Sequence, residues 1–214
     1  MKFLLLAISL TYSVNAADKL PKVLFLGDSI TSHVSGLSGR ELKGKIQVKF
    51  IQIQDSTNTL KNWDKLIGNE KWDLIYFNFG FNDLVYKAPH VKQVRAMSKQ
   101  GGAVITTSPD LYEKNLQAIA KRIKKMSSKT IWASTTPISK AKYAHLYDPG
   151  LEVKYNRIAQ KVMTQESIGV LDLYSHVKKL TDGNKNFDGF SFNRNVPEIH
   201  KIVVDHLRDE LKLN

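Results

Sequence analysis

Residues 22–30 have the sequence KVLFLGDSI, in which a short apolar run passes directly into a turn. After its first lysine the run is continuously apolar, as expected of a parallel strand that is buried on both faces. A glycine permits the sharp turn that follows, and Ser29 then lies at the start of a helix. At that position the helix dipole and the backbone N–H groups favour negative charge. The stretch predicts a strand, a tight turn and a helix N-terminus that faces a ligand, and the alternative is a serine or aspartate that only caps the helix.

Four further stretches are rich in β-branched and aromatic residues and predict strands, at residues 46–53, 72–79, 129–135 and 168–173. The first of them alternates, as a strand near an edge does. Between the strands, apolar residues recur at helical spacing, and Ser108 and Pro109 are a typical helix start. Strand–helix alternation with short connections predicts an α/β fold, a three-layer doubly wound sandwich with a five-stranded parallel sheet. The longest irregular stretch, residues 84–107, predicts a functional or mobile loop.

The composition of the 214-residue chain excludes several classes of protein. It contains no cysteine, which rules out disulfide scaffolds, thiolate metal sites and a cysteine nucleophile. The net charge of +12 favours anionic surroundings, but it does not identify a particular partner. The densest basic run, residues 121–125, flanks the apolar Ile123, so it predicts the solvated face of a helix. No aromatic-rich motif accompanies the run, and a nucleic-acid partner is therefore not expected.

The N-terminus predicts an export signal. Lys2 supplies a positive start, an apolar stretch follows, and Val14 and Ala16 are small residues at the positions that precede a cleavage site. The run is shorter than the roughly 20 apolar residues of a membrane helix. We therefore expect residues 1–16 to be a signal peptide and residues 17–214 to be one domain, exported to the periplasm or beyond and not inserted in a membrane once the signal is cleaved. An uncleaved anchor is the alternative.

A second polar motif follows the strand predicted at residues 72–79. It consists of Gly80, Phe81, Asn82 and Asp83. The glycine allows close approach of the backbone, and the Asn82 amide can donate to a developing oxyanion. A simple turn is the alternative, because glycine, asparagine and aspartate are common in turns. Ligands of such sheets bind beyond the carboxyl ends of the strands, so we expect Ser29 and Asn82 to share a cavity.

At this spacing the two motifs resemble those of the SGNH (GDSL-type) hydrolases, and the resemblance covers nearly all of the chain after the predicted signal. Residues 71–84, with residues 112–116 after them, are similar to a subgroup of exported bacterial members. Known members have a flavodoxin-like three-layer fold and are esterases, lipases or carbohydrate deacetylases. They use a serine nucleophile, a histidine base, an aspartate three residues before that histidine, and no metal or cofactor.

The resemblance implies a role for each matching residue. Ser29, flanked by Gly27 and Asp28, would be the nucleophile. The oxyanion would be held by the N–H groups of Ser29 and Gly80 and by the side chain of Asn82. A triad acid is implied as well, at Asp188. The implied substrate is a small-molecule or carbohydrate ester.

Two of the family's blocks are altered in this chain. Ser191 stands where the triad histidine belongs, three residues after Asp188, and a serine hydroxyl is no base near neutral pH. The candidate substitutes are His33, which would point along the helix that begins at Ser29, His90 in the long irregular stretch, and His200, which the final helix would carry away from the site. His145 and His176 are expected to be surface residues. Residues 54–58, QDSTN, lack the glycine of another oxyanion block, and Asp55 would place negative charge near the oxyanion.

Three functions remain compatible with these observations. The first is a serine ester hydrolase, of the esterase or deacetylase kind, whose activity is weakened by the loss of the triad histidine. The second is a catalytically inactive protein on the same scaffold that binds an acylated sugar or similar ligand. The third is an anion binder that uses the basic charge.

Overall fold

The computed structural model describes residues 19–90, 97–138, 145–148, 150–181 and 197–213. The strands in these ranges are β1 (Lys22–Gly27), β2 (Gln47–Gln52), β3 (Leu74–Phe77), β4 (Tyr86–Lys87), β5 (Val104–Ile105), β6 (Thr130–Ala133) and β7 (Gly169–Leu171). The helices are α1 (Ser29–Glu41), α2 (Ser56–Lys61), α3 (Trp63–Leu66), α4 (Phe81–Leu84), α5 (Pro109–Met126), α6 (Leu151–Gln165), α7 (Leu173–Thr181) and α8 (Pro197–Leu211), with a 3₁₀ turn at Lys99–Gly101.

The main sheet has five strands in the order β2-β1-β3-β6-β7, and every neighbouring pair is parallel. This confirms the predicted five-stranded parallel sheet. The apolar residues 23–26 of β1 have no exposed surface, because strands pair on both sides of β1 and helices cover both faces. Strand β2 lies at the edge of the sheet, as its alternating sequence indicated.

Helices cover the sheet in two groups. Helix α1 packs against α8, whereas α2 and α6 pack against α5. Helix α5 begins as predicted, with the Ser108 side chain accepting a hydrogen bond from the Leu111 N–H and with Pro109 in the first turn. Its apolar residues at helical spacing are completely buried, namely Tyr112, Leu116, Ile119 and Ile123. The residues of the basic run on either side of Ile123 are exposed, which confirms the solvated face.

The stretch predicted to be an irregular loop, residues 84–107, contains regular structure. Strands β4 and β5 pair antiparallel, with Tyr86 opposite Ile105. Short two-residue strands carry too little periodicity to be recognised in the sequence, so the prediction missed this hairpin. Within the described part of the chain, no helix combines the length and the apolar character that a membrane crossing requires.

Candidate active site

Ser29 lies where β1 passes into α1, at the carboxyl edge of the sheet. The Asp28 side chain caps the helix, with one carboxylate oxygen accepting hydrogen bonds from the N–H groups of Ile30 at 2.9 Å and Thr31 at 3.3 Å. Burial raises the pKa of Asp28 in spite of these bonds. The capped turn leaves the Ser29 side chain exposed as the first residue of the helix. The hydroxyl is thus presented to solvent on a fixed turn.

The glycine before Asp28 is required by packing. A Cβ on Gly27 would lie 2.0 Å from the hydroxyl oxygen and 2.4 Å from the Cβ of Thr31. Any side chain at this position would therefore push the first turn of α1 away from β1. Because Ser29 sits in that turn, Gly27 holds the serine close to the strand end.

Asn82 is tied to the same edge of the sheet through the residue that follows β2. Its side-chain amide donates to the Ile53 carbonyl at 3.3 Å, and the Ile53 N–H donates to the Gly27 carbonyl at 3.0 Å. Two hydrogen bonds thus connect Asn82 to the residue that begins the turn leading to Ser29. The structure brings the two predicted motifs to one edge of the sheet, as the parallel topology required. Asn82 is not among the described residues that line the concavity around Ser29, so a cavity shared by the two side chains stays a prediction.

A buried polar network lies behind Asn82. The next residue, Asp83, has no exposed surface and accepts hydrogen bonds from the Ser56 N–H at 3.0 Å and hydroxyl at 2.7 Å. The Asn115 amide donates to the same hydroxyl at 2.9 Å, which joins α4, α2 and α5. Burial raises the pKa of Asp83 to about 7, although the bonds from Ser56 oppose the shift. The sequence showed Asp83 only as part of a turn motif and indicated no role for it.

Asp55 has a structural role in the altered block. Its carboxylate accepts a hydrogen bond from the Asn58 N–H at 2.9 Å and caps α2. The side chain is 5% exposed. Asp55, which was expected to place negative charge near an oxyanion, therefore acts as the N-cap of α2.

The Ser29 depression is a shallow concavity of about 300 Å³ on α1. It is lined by Ser29, Ser32, His33, Gly36 and Arg40. His33 follows Ser29 by four residues, so the two side chains share one face of the helix. The sequence suggested that His33 would point along the helix, whereas the structure places it in the lining of the same depression as the candidate nucleophile.

A second cavity of about 370 Å³ adjoins the depression and is lined by His33, Leu37, Arg40 and His200. We call it the basic cavity. The rings of His33 and His200 lie 5.2 Å apart between centroids and are tilted by 57°. His200 was expected to be carried away from the site by α8, but the packing of α8 on α1 brings it against His33. No feature of the sequence pointed to this pairing, because it joins opposite ends of the chain.

The other histidines contribute less to this region. His90 is exposed in a turn with φ of 65° and is not among the residues that line the depression. His145 and His176 are exposed, as predicted, and His206 is half-buried on α8. Asp188 and Ser191, the implied triad acid and the residue at the triad histidine position, lie outside the described residues.

No cluster of three or more histidine and acidic side chains that could hold a metal ion occurs in the portion of the chain that the structure covers. The described residues at the site offer the Ser29 hydroxyl, the backbone donors around it and the neighbouring imidazole and guanidinium groups. A helix N-terminus, a backbone turn and an asparagine amide at one sheet edge can stabilise an oxyanion.

The fold is that of several solved ester hydrolases. A lipase/acylhydrolase from Enterococcus faecalis superposes with a TM-score of 0.68 and 18% identity, covering 89% of this chain and 96% of its own. The acetyl xylan esterase AlAXEase has a TM-score of 0.63 and 20% identity, with coverages of 88% and 98%. Axe2, an acetylxylan esterase from Geobacillus stearothermophilus, has a TM-score of 0.60 and 15% identity, with coverages of 91% and 95%.

No protein-family model matches the chain, and no curated protein matches its sequence. At the identities of the solved structures, the likeness establishes an α/β sandwich shared along nearly the whole length of each protein. What those enzymes hydrolyse is a property of those enzymes.

Proposed function

We propose that this chain is an exported serine ester hydrolase, of the esterase or carbohydrate deacetylase kind, with weakened activity. The observation that carries the proposal is the pair of hydrogen bonds linking the Asn82 amide, through Ile53, to the turn that presents Ser29. The ester hydrolases that share the fold support the same class of reaction. The apolar N-terminal stretch supports export.

In the proposed reaction the Ser29 hydroxyl oxygen attacks the carbonyl carbon of the ester. The N–H groups of Ser29 and Gly80 and the Asn82 amide stabilise the negative charge that forms on the carbonyl oxygen. Collapse of the tetrahedral intermediate breaks the bond to the alcohol, which leaves with the proton that the Ser29 hydroxyl lost, and an acyl-serine remains. Water then attacks the acyl-serine and releases the acid.

The site lacks the histidine that would act as general base in the resembled triad. Ser191 provides no group that takes the Ser29 proton near neutral pH, and without a base the hydroxyl is a poor nucleophile. Asp188, the acid of the resembled triad, is then left without an imidazole to orient. His33 offers an imidazole in the Ser29 depression. Comparing ester hydrolysis by a His33→Gln variant with that by the parent would show how much of the remaining rate depends on this imidazole.

The purified chain would be assayed on 4-nitrophenyl acetate and on acetylated xylooligosaccharides. We expect slow turnover that Ser29→Ala abolishes. Ser128→Ala should leave the turnover unchanged, because Ser128 is exposed and precedes β6, at the amino ends of the strands and not at the carboxyl ends where Ser29 lies. Ser191→His is expected to raise the rate by about 10²–10⁴-fold, the usual contribution of a positioned general base. If neither the parent nor Ser191→His turns over, and neither is labelled by a serine-directed phosphonate, the proposal is wrong.

A catalytically inactive binder of acylated sugars is the second candidate. It is favoured by the serine at position 191, because a hydroxyl cannot act as a general base near neutral pH. Phosphonate labelling without turnover in the parent, together with turnover in Ser191→His, would identify this second function.

A further inference from the structure

A further concavity lies at the β7 edge of the sheet. It has a volume of about 230 Å³ and is formed by residues of β6, β7 and α6 and by the start of α7. We call it the edge cavity, and its lining includes Trp132, Val153, Arg157, Gln160, Val170 and Asp172. Among the described residues, none that lines it also lines the Ser29 depression or the basic cavity. At roughly 30 Å³ for each water molecule it has room for about eight waters, so its size suits a small molecule.

The floor of the edge cavity is apolar. Trp132 on β6 and Val170 on β7 are paired in register, so their side chains lie next to each other on one face of the sheet. Helix α6 contributes Val153 to the same lining. Val170 is 36% exposed although it belongs to the sheet. An aliphatic group seated on this floor would be stabilised in proportion to the apolar area that leaves water.

Two nitrogen-bearing side chains border this floor. Trp132 is 1% exposed, and its indole Nε1 has no hydrogen-bond partner within the described residues. A buried donor in this state costs free energy that an acceptor on a ligand would recover. Arg157 is exposed on α6, and none of the ion pairs between described residues includes it. Its guanidinium is therefore available to a carboxylate, which it fits with two parallel hydrogen bonds.

A carboxylate lies in the same lining. Asp172 accepts hydrogen bonds from the Ser134 hydroxyl at 3.2 Å and from the Ser175 N–H at 3.0 Å. Burial opposes ionisation, but the hydrogen bonds from Ser175 and Ser134 outweigh it and lower the pKa of Asp172, so this group is ionised near neutral pH. An ionised carboxylate has about four lone-pair sites, so it can accept further bonds from an ammonium group. Asp172 and Arg157 thus offer opposite charges in one cavity without being paired to each other.

We propose that the edge cavity binds a small zwitterion, a free α-amino acid with an aliphatic side chain. The carboxylate of the amino acid pairs with Arg157, its ammonium group donates to Asp172, and its side chain covers Val170. The small volume requires one ligand to carry both charges close together, as a free amino acid does. The proposal goes beyond ester hydrolysis and does not depend on it, because the described lining of this cavity shares no residue with the Ser29 depression.

The test uses leucine as the probe, each enantiomer separately, titrated into the isotope-labelled full chain. The indole N–H signals of the three tryptophans are followed by NMR, and Trp132→Phe identifies the signal of Trp132. We expect a saturable shift of the Trp132 signal at millimolar leucine. The Trp63 signal should stay in place, because the Trp63 indole already donates to the Gly68 carbonyl. Absence of a saturable Trp132 shift with either enantiomer would overturn the proposal.

Variants of the two charged residues test the pairing. Arg157→Gln should weaken leucine binding at least about tenfold, since a charge-assisted bidentate contact is lost. Asp172→Asn should have a similar effect, although its carbonyl oxygen can still accept the bond from the Ser175 N–H. Lys154→Gln is the matched control, because it removes the same charge from an exposed residue of α6 that is outside the lining. Equal affinity for leucine in the parent and in either cavity variant shows that the zwitterion is not held as proposed.

Ligands that carry one charge test whether both are needed. The anion 4-methylpentanoate lacks the ammonium group of leucine, and the cation 3-methylbutylamine lacks its carboxylate. Each should bind at least about tenfold more weakly than leucine, because each leaves Asp172 or Arg157 without its partner. If either of them binds as tightly as leucine, the edge cavity is a site for a simple anion or cation and the proposal is wrong.

Discussion

The backbone of Gly80 lies so close to the side chain of Thr135 that a Cβ on Gly80 would fall 1.8 Å from the threonine hydroxyl oxygen and 2.9 Å from its Cβ. The threonine cannot simply turn away, since its hydroxyl accepts a hydrogen bond from the Asn78 amide at 3.3 Å. The contact fixes the backbone of the turn between β3 and α4, and Asn82 stands on that turn.

Gly80→Ala should therefore destabilise the protein by about 1–3 kcal/mol, the usual cost of overpacking. Gly36→Ala is the matched control, because a Cβ there meets nothing within 4 Å. This exposed helical position should gain about 0.5–1 kcal/mol from the replacement of glycine. Thermal unfolding followed by circular dichroism measures both changes, and an unchanged Tm for Gly80→Ala would contradict the close contact.

Asp83 should make the stability of the protein depend on pH. Its pKa rises from 3.8 to about 7 on folding because the carboxyl is completely buried. Between these values the native state holds more protons than the unfolded state, so the free energy of unfolding falls as the pH rises, by at most about 1.4 kcal/mol per pH unit. The stabilisation is fully present below pH 3.8 and is lost as the pH passes through about 7.

Asp83→Asn removes the ionisable group and should flatten this slope. Urea unfolding of the parent and the variant at several pH values between 4 and 8 measures the difference. The exposed Asp209 provides a control, since Asp209→Asn should retain the slope of the parent. The same slope in Asp83→Asn and in the parent would show that Asp83 does not titrate in this range.

Asn82→Ala should reduce kcat by about 10²–10³-fold if the amide stabilises the oxyanion. Its loss should cost little stability, because its hydrogen bond to the Ile53 carbonyl is long at 3.3 Å. Asn62→Ala is a suitable control, since the Asn62 amide also donates to a backbone carbonyl, that of Asn58, at 2.9 Å. The control should lose at least as much stability and keep its kcat, and an equal fall in kcat for both variants would argue for a purely structural role of Asn82.

Asp28→Ala should destabilise the protein by about 0.5–2 kcal/mol, because the helix loses its cap. Asp28→Asn should cost less, since its carbonyl oxygen can accept the same bonds from Ile30 and Thr31 without burying a charge. Chemical unfolding at pH 7 separates the two variants. Equal losses for both would mean that the carboxylate charge, rather than the capping bonds, stabilises α1.

The sheet could be predicted from the sequence because its strands are local patterns. The apolar run of residues 23–26 and the alternation along β2 indicate how each strand is buried, and both strands lie where these patterns place them. The hairpin of β4 and β5 could not be predicted, because two residues are too few to establish a period. Its pairing depends on contacts between segments far apart in the chain.

Some features of the candidate site could likewise be predicted from the sequence, and others could not. Ser29 and Asn82 could be singled out because polar motifs directly after parallel strands converge at one sheet edge. The meeting of His33 with His200, and the burial of Asp83 against Ser56, could not. Each joins side chains from elements with no common sequence pattern.

The sequence by itself determined the alternation of strands and helices, the parallel sheet and the two polar motifs at its carboxyl edge, because apolar periodicity and turn chemistry act over a few neighbouring residues. Only the tertiary structure decided which polar side chains became neighbours. It brought His200 on α8 against His33 on α1 and removed Asp83 from water, because helix packing sets distances and burial between residues that the chain keeps far apart.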